Sequence, residues 1–575
     1  MPLMTPAFPI AADPPPAPRS TLFATLKRID GWGAGAWREV FSTWCLRHCL
    51  LSVDDLEAGV SRDADDHVAA FVLVLPKHAL TRTGATLDDV ATCDWVLRQL
   101  WRTLLAKPRI TVTTHQPGAA VRATNACLFT APSPGQPAAL LIRLLVRLPL
   151  AGMCCDGTAL ARFLRQVEGF AADLSTRRTR PDLAAQRLAV ARQDALRAAL
   201  SAHDLVAFVG DGARLARGAD GGPMPGCKPL RTPATARVRI DLGSLGTVTG
   251  LGIRRGVTAV AGAPYHGKST LLSALAAGRE NHPPGDGREL VVADASVLAV
   301  QAEDGRRIKR QNLSGFFAKL PGADSRDFST ARASGATSMA ASLVQGVAAG
   351  CRLLLIDEDT AASNFLTIDP LMRTLLGKAL TGTTTLLELL PGLAAAGVST
   401  VLVAGSHRLS LAASERVVLM EQYQPSDVTA RVRRLLGSGQ RRTTAAPLPF
   451  PLRRLHDHPD CLFGPCHFLT VDVTEPERPV VNGSVLDLRR CGWELDKALV
   501  RGALAAAGWC CRLGEGRPLT MADLHERYLA FVRERGPRGL DPFDTALLAV
   551  PPWQLVVTML ERLEQPAIAS GGTHH

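Results

Sequence analysis

Residues 256–272 read GVTAVAGAPYHGKSTLL. A β-prone run from Val257 to Ala261 passes into Gly262, Ala263, Pro264, Tyr265, His266, Gly267, Lys268 and Ser269, and Thr270 leads into a Leu/Ala-rich helical segment. Strand, glycine loop and helix follow in the order a phosphate cradle requires. Gly262 and Gly267 let the backbone curl so that successive N–H groups and a helix N-terminus face one anion. Lys268 then reaches the β- and γ-phosphates, and the Ser269 hydroxyl is placed for Mg²⁺. The spacing predicts a site for ATP or ADP with Mg²⁺, built from Gly262 to Thr270.

A chain of 575 residues is too long for one ordinary core, so two to four domains are expected. Its 46% hydrophobic and 21% charged residues leave ample material for packing. A net charge of +12 favours polyanionic partners, RNA or DNA before an acidic membrane; a solvated basic surface is the equal alternative. Several of the 13 cysteines are adjacent pairs, Cys154–Cys155 and Cys510–Cys511, which suit a reducing compartment better than a disulfide framework. Arg143 and Arg147 interrupt one long apolar run, and Glu388 and Pro391 another, so no membrane span is expected. The Pro/Ala-rich first twenty residues lack a secretory apolar region.

A second anchor is Cys351 to Glu358, where four apolar residues end in Asp357 and Glu358. That is the pattern of a buried parallel strand whose carboxyl end meets ligand. Asp357 would hold Mg²⁺ and Glu358 would polarise the water that attacks the γ-phosphate. Ser334 and Gly335 open the helical stretch MAASLVQGVAAG, and Ser334 lies 23 positions ahead of Asp357. A hydroxyl and bare N–H groups at a helix start suit an anion.

With these motifs, and with NHPPGDGRE, FSTARASGATSMAA, LLIDEDTAASNFLTID, GVSTVLVAG, LVAFVGDGARL and YQPSDVTA, the chain from about Leu22 to Glu564 resembles the stand-alone ABC-class ATPase family. That family has bacterial members and a kinetoplastid member in a mitochondrial RNA-binding complex associated with RNA editing. The resemblance implies an α/β fold: an ABC-type P-loop ATPase core with a mixed sheet, flanked by N-terminal α+β and C-terminal mixed domains. It also implies a head-to-tail homodimer in which Ser334 and Gly335 meet the γ-phosphate held by the other copy. ATP hydrolysis, an RNA partner, an RNA-processing complex, and a mitochondrial location in a kinetoplastid or a cytoplasmic one otherwise are further implications. The family's second Ser and its Gln in this segment are replaced by Ala336 and Met339, while Asn364 is retained in the loop that couples the two sites. Just past VSTVLVAG, His407 is the candidate γ-phosphate sensor. No aromatic precedes the phosphate loop where adenine is usually stacked.

The expected boundaries are a disordered lead-in at 1–20, an N-terminal α+β domain at 21–205, the ATPase domain at 206–435, and a basic linker with a C-terminal domain at 436–575. The long helical segment carrying Arg187, Arg192 and Arg197 is expected to be solvated rather than RNA-facing. Phosphate-backbone contact is assigned to Arg431, Arg433, Arg434, Arg441, Arg442, Arg453 and Arg454; a basic linker that touches nothing is the competing reading. His456, His458, Cys461, Cys466 and His467 match no standard zinc spacing and read as a local turn. Against the favoured ATPase stands an ATP-switched nucleic-acid-binding or scaffold protein with little hydrolysis. A small-molecule kinase and the energy-supplying subunit of a transporter fit less well.

Overall fold

The computed structural model describes residues 16–55, 68–76, 89–106, 110–130, 138–176, 180–320, 322–377, 382–405, 407–437, 471–514, 521–541 and 547–563. The chain divides into two compact units, one of residues 1–188 with 535–550, the other of residues 189–534 with 551–575.

In the first unit the spine is β4 (Val68–Pro76) against β7 (Ala139–Arg147), antiparallel from Val68 opposite Arg147 to Pro76 opposite Ala139. Around it lie β1 (Ala17–Pro18), β2 (Thr43–Cys45), β3 (Leu50–Asp55), β5 (Val112–Thr113) and β6 (Cys127–Phe129), in the order β1-β2-β3-β4-β7-β5 with β6 beside β7. Successive side chains of a strand point to opposite faces. Accordingly Phe71, Leu73, Leu75, Leu140, Ile142 and Leu144 enter the main core with helices Arg19–Ile29, Val90–Thr103 and Gly157–Thr176, and Val72, Val74 and Leu141 form a smaller cluster. Arg143, one of the residues that breaks up the apolar run, is buried 4.0 Å from Asp541. Residues 547–550 dock on this unit: the Leu548 N–H donates to Asn125 Oδ1 at 2.9 Å and the Val550 N–H to the Ala123 carbonyl at 2.9 Å. A two-stranded ribbon, β8 (Leu150–Ala151) with β9 (Cys154–Cys155), keeps the adjacent cysteines as free thiols. Ordered chain begins before the expected residue 21, because Ala17–Pro18 pair with Trp44–Cys45 and the first helix starts at Arg19.

Two larger sheets organise the second unit. The antiparallel one has the order β11-β12-β10-β14, built from β10 (Leu205–Gly210), β11 (Arg237–Asp241), β12 (Thr247–Arg254) and β14 (Val291–Ala293). The larger has the order β15-β18-β19-β13-β20-β21, formed by β13 (Val257–Ala261), β15 (Leu298–Val300), β18 (Leu353–Asp357), β19 (Ser399–Ala404), β20 (Arg416–Glu421) and β21 (Gln424–Asp427). Its strands pair in parallel except at the β21 edge. Leu353, Leu355, Val401 and Val403 face helix Lys268–Ala277 and the antiparallel sheet, whereas Leu354, Ile356 and Leu402 face helices Gly335–Ala348 and Leu386–Ala395. Burial on both faces explains the near-continuous apolar runs of these strands. A short ribbon of β16 (Ile308–Gln311) and β17 (Phe328–Thr330) completes this part.

Residues from 471 on do not make a compact unit of their own. They supply β22 (Val471–Asp472), β23 (Val480–Val481) and β24 (Ser484–Val485), then helices Lys497–Gly514, Met521–Leu540 and Trp553–Leu560. The eight residues of Trp553–Leu560 are all buried, and within the second unit this helix packs on Lys497–Gly514 and on Gly335–Ala348. The helix Pro181–Ala199 also departs from expectation. Arg187 pairs with Asp89 at 2.8 Å, the Arg192 Nε donates to the Leu245 carbonyl at 2.8 Å, and Arg197 donates to Asn281 Oδ1 at 3.0 Å. These arginines are structural ties, neither a solvated face nor a free one. Among the described residues no helix is long and apolar enough to cross a membrane.

Gly250 of β12 lies opposite Gly210 of β10, and a Cβ there would stand 2.2 Å from the Val209 carbonyl oxygen. Gly250→Ala is therefore expected to cost about 1–3 kcal/mol. A lower urea midpoint at unchanged slope would register it.

Candidate functional site

Three neighbouring strands of the large sheet end at one edge. Ala261 of β13 is in register with Ala404 of β19, and Asp357 of β18 with Val403. The loops that follow, beginning at Gly262, Glu358 and Gly405, therefore leave the carboxyl edge side by side. This is where a parallel sheet offers backbone and side chains to a ligand.

The glycine loop is a tightly fitted turn. Gly262 has φ 151° and Gly267 φ 93°, both in the region glycine tolerates. A Cβ on Gly262 would lie 2.5 Å from the Met420 carbonyl oxygen, and one on Gly267 would lie 2.9 Å from Cδ1 of Tyr423. Tyr265 adopts φ 65° and is 92% exposed, so the loop crest holds a strained residue that is not fixed by packing. Ala263, Pro264 and Ser269 are exposed, and His266 and Thr270 are half-buried. Gly267 caps helix Lys268–Ala277, whose first N–H groups thus point into the loop. Lys268 is buried, and its ammonium folds back to donate to the Ala263 carbonyl at 2.9 Å. A cation and a helix N-terminus together make an anion-binding cradle.

At the end of β18, Asp357 Oδ1 accepts from the Asp359 N–H at 3.1 Å and starts a 3₁₀ turn, Glu358–Thr360. Glu358 reaches across to the next loop: its Oε2 accepts from the Gly405 N–H at 2.8 Å, and His407 Nε2 lies 3.6 Å from its Oε1. Glu358 is mostly covered, while His407 is 44% exposed. The fold thus brings Glu358 and His407 together from two strands. Ser269 and Asp357 offer hard oxygen donors of the kind Mg²⁺ takes. Among the described residues no cluster of three or more His, Cys, Asp or Glu is arranged to hold a metal.

Ser334 stands exposed at the N-cap of helix Gly335–Ala348, where its Oγ accepts from the Thr337 N–H at 3.3 Å. It opens on a cleft of about 500 Å³ lined by Ala302, Asp304, Ser334, Gly335, Asn364 and Arg490, among others. Gly335 is closely packed: a Cβ there would stand 3.1 Å from Ala302 Cβ. Met339 is fully buried, and its Sδ accepts from the Ala362 N–H at 3.2 Å. A thioether therefore ties this helix to the loop of Asn364.

Sequence reasoning missed three participants. Tyr423 lies in the turn between β20 and β21, and Gln424 opens β21; Gln424 bonds both the Pro229 carbonyl and the Arg231 N–H, which holds Tyr423 under Gly267. Their motif, YQPSDVTA, was visible, but a contact with the glycine loop leaves no local pattern. Arg490 donates to the Ala302 carbonyl at 3.1 Å from a segment almost two hundred residues away. Of the basic residues assigned to phosphate contact, Arg431 and Arg434 are exposed. Arg433 is instead committed to the carbonyls of Ser414 and Glu415, capping helix Arg408–Ala413. Arg441, Arg442, Arg453, Arg454 and the cluster His456, His458, Cys461, Cys466 and His467 lie outside the described residues.

Residues 179–449 match a family model described as ABC_ATPase, a P-loop domain. "Uncharacterized protein MJ1628" of Methanocaldococcus jannaschii is 35% identical over 134 residues, 22% of this chain; the chain spans only 29% of that relative's length. Among solved structures, cbiO1 from Clostridium perfringens, described as part of the ABC transporter complex cbiONQ, matches 39% of this chain and 87% of its own, at 16% identity and a TM-score of 0.22. The glycine loop, the acidic strand end and the Ser334 helix lie in one unit and all fall inside residues 179–449, so this part of the chain is an ABC-class P-loop ATPase domain.

Proposed function

We propose that the chain is a Mg²⁺-dependent ATP hydrolase that works as a head-to-tail homodimer without membrane spans of its own, with RNA as its partner. The observation that carries the chemistry is the strand register that sets Gly262, Glu358 and Gly405 side by side. Gly262 to Thr270 hold the triphosphate, with Lys268 as the point charge on the β- and γ-phosphates. Ser269 and Asp357 would hold Mg²⁺, which when bound would supply charge neutralisation at the phosphate oxygens. Glu358, fixed by the Gly405 N–H, accepts the proton of the attacking water, and His407 beside it orients toward the γ-phosphate. Ser334 and Gly335 close on the triphosphate of the second copy; the exposure of Ser334 on an open cleft that Gly335 also lines supports this.

RNA binding is supported by the net charge of +12 and by the exposed Arg431 and Arg434 on helix Thr429–Leu436. Such contacts are salt-sensitive and largely blind to sequence.

Lys268→Ala should weaken ATP affinity at least about tenfold, as one lost charge-assisted contact of roughly 1.4 kcal/mol or more requires. Unchanged affinity in equilibrium dialysis would remove the phosphate loop from the reading. Glu358→Gln should keep ATP affinity while cutting turnover by a factor of about 10² or more, the usual worth of a general base. Phosphate release at the wild-type rate would favour a nucleotide switch over an enzyme. For RNA, Arg431→Ala with Arg434→Ala should reduce the slope of log affinity against log salt by about 1.4, two phosphates on a single strand. A filter-binding slope equal to that of the wild type would assign the contact elsewhere.

A further inference from the structure

Helix Gly335–Ala348 is apolar over most of its surface but carries one polar stripe: Ser334 at its cap, then Ser338, Ser342 and Gln345. These positions share one face of a helix. Ser338, Ser342 and Gln345 are engaged by a buried ionic cluster. The Glu303 N–H donates to Ser338 Oγ at 2.9 Å, and Ser342 Oγ donates to Glu303 Oε1 at 3.2 Å. Arg306 donates to Ser342 Oγ and to Gln345 Oε1, and lies 3.4 Å from Glu303 Oε1.

The cluster is closed by the last described residues of the chain. Arg562 Nη2 spans both oxygens of Glu303, at 2.7 and 2.8 Å, with both side chains under 10% exposed. Glu561 Oε2 accepts from Gln345 at 3.2 Å and from Gln311 at 2.8 Å, and Lys309 Nζ donates to the Leu563 carbonyl at 2.8 Å. Glu303 is followed by Asp304 and preceded by Ala302, and these two contact the position of Gly335. A displacement of Glu303 therefore reaches the helix start.

We propose that Glu561 and Arg562 are positioning residues: by gripping Glu303, Gln345 and Gln311 they fix the start of helix Gly335–Ala348, so docking of the chain's end sets how Ser334 and Gly335 are presented. A purely apolar contact would hold the helix against the core without fixing its rotation or register. The bidentate Arg562–Glu303 pair has a directional geometry and fixes both. The structural half of this statement stands on the contacts alone, and its effect on turnover rests on the ATPase reading.

Hydrogen exchange on the full chain tests the structural half. In Arg562→Ala the amides of residues 338–342 should exchange at least about tenfold faster than in the wild type, with Arg562→Lys in between. Because removing one partner strands a buried charge, a second variant loses both, Glu303→Gln with Arg562→Met, which spares stability. It should show the same faster exchange at a near wild-type melting temperature. Unchanged protection of residues 338–342 in that double variant overturns the proposal.

Turnover is the second readout. The double variant should lose kcat by about tenfold with its ATP dissociation constant within about twofold of wild type, the signature of a group that acts on the reacting geometry and not on substrate binding. A parallel loss of ATP affinity overturns the positioning role. Lys268→Ala, far from the cluster in sequence, tests the ATPase reading separately.

The cluster also makes stability pH-dependent. Burial is the largest influence on Glu561 and pushes it up to about 7 from 4.5, against the opposing pull of Arg306, Arg562, Gln345 and Lys309. Glu303 and Cys491 are the other ionisable groups at the cluster. A carboxyl that is harder to ionise when folded takes up a proton on folding, so its contribution to stability is full below about 4.5, falls as pH rises to about 7, and is level above that. Glu561→Gln should flatten the decline in urea midpoint across that window. A decline equal to that of the wild type would remove Glu561 from the buried cluster.

Discussion

The molecule depends most on the parallel register among β18, β19 and β13. Backbone hydrogen bonds lock Asp357 opposite Val403 and Ala404 opposite Ala261, and because the strand period is two, a slip of one residue would turn Leu354 and Leu402 toward the wrong helix layer. The cost of misplacing that apolar surface holds the three strand ends level. Each side chain of buried Leu or Val contributes roughly 1.5–3 kcal/mol through burial, so the register is secured far beyond thermal fluctuation. The candidate site takes from this register a glycine loop, an acid pair and a histidine-bearing loop that leave one edge together.

The glycine loop shows how closely the site is packed from below. Met420 and Tyr423 occupy the space where a Cβ on Gly262 or Gly267 would go, so the β20–β21 turn acts as a floor under the anion cradle. Tyr423 itself has φ 68°, and Gln422 before it φ 49°. Two strained residues in sequence persist only where surroundings determine them. Here the two hydrogen bonds of Gln424 to Pro229 and Arg231 supply that constraint. The strain and the floor are one device, with the turn twisted so that an aromatic ring supports Gly267.

The glycine loop, the acidic strand and the Ser334 helix start were legible in the sequence because each is written in contiguous residues with a local physical meaning. Strand order, by contrast, was not legible: β13 lies between β19 and β20, which follow it by well over a hundred residues. The ends of the chain were the least readable. Residues 535–550 and 551–563 both fall in the expected C-terminal domain, yet the first set joins the N-terminal unit through Asn125 and Arg143, and the second joins the ATPase unit through Trp553–Leu560. Pairings across hundreds of residues leave no periodicity for a sequence reading to find. The arginines of helix Pro181–Ala199 were misread for a related reason. Their partners, Asp89, Leu245 and Asn281, come from elsewhere in the chain, and charge alone does not distinguish a tie from a solvated face.

Why the Ser334 helix is held by charges rather than by more leucine follows from what such contacts are worth. A buried ion pair adds little net stability over a well-packed apolar isostere, because desolvation offsets most of the Coulomb attraction. Its geometry, however, is specific in a way that apolar packing is not. Trp553–Leu560 already contributes the apolar burial that seats the C-terminal helix. The Glu303, Arg306, Glu561 and Arg562 cluster adds direction: it defines one rotation of helix Gly335–Ala348 and one depth of docking, each satisfied only when all partners are present.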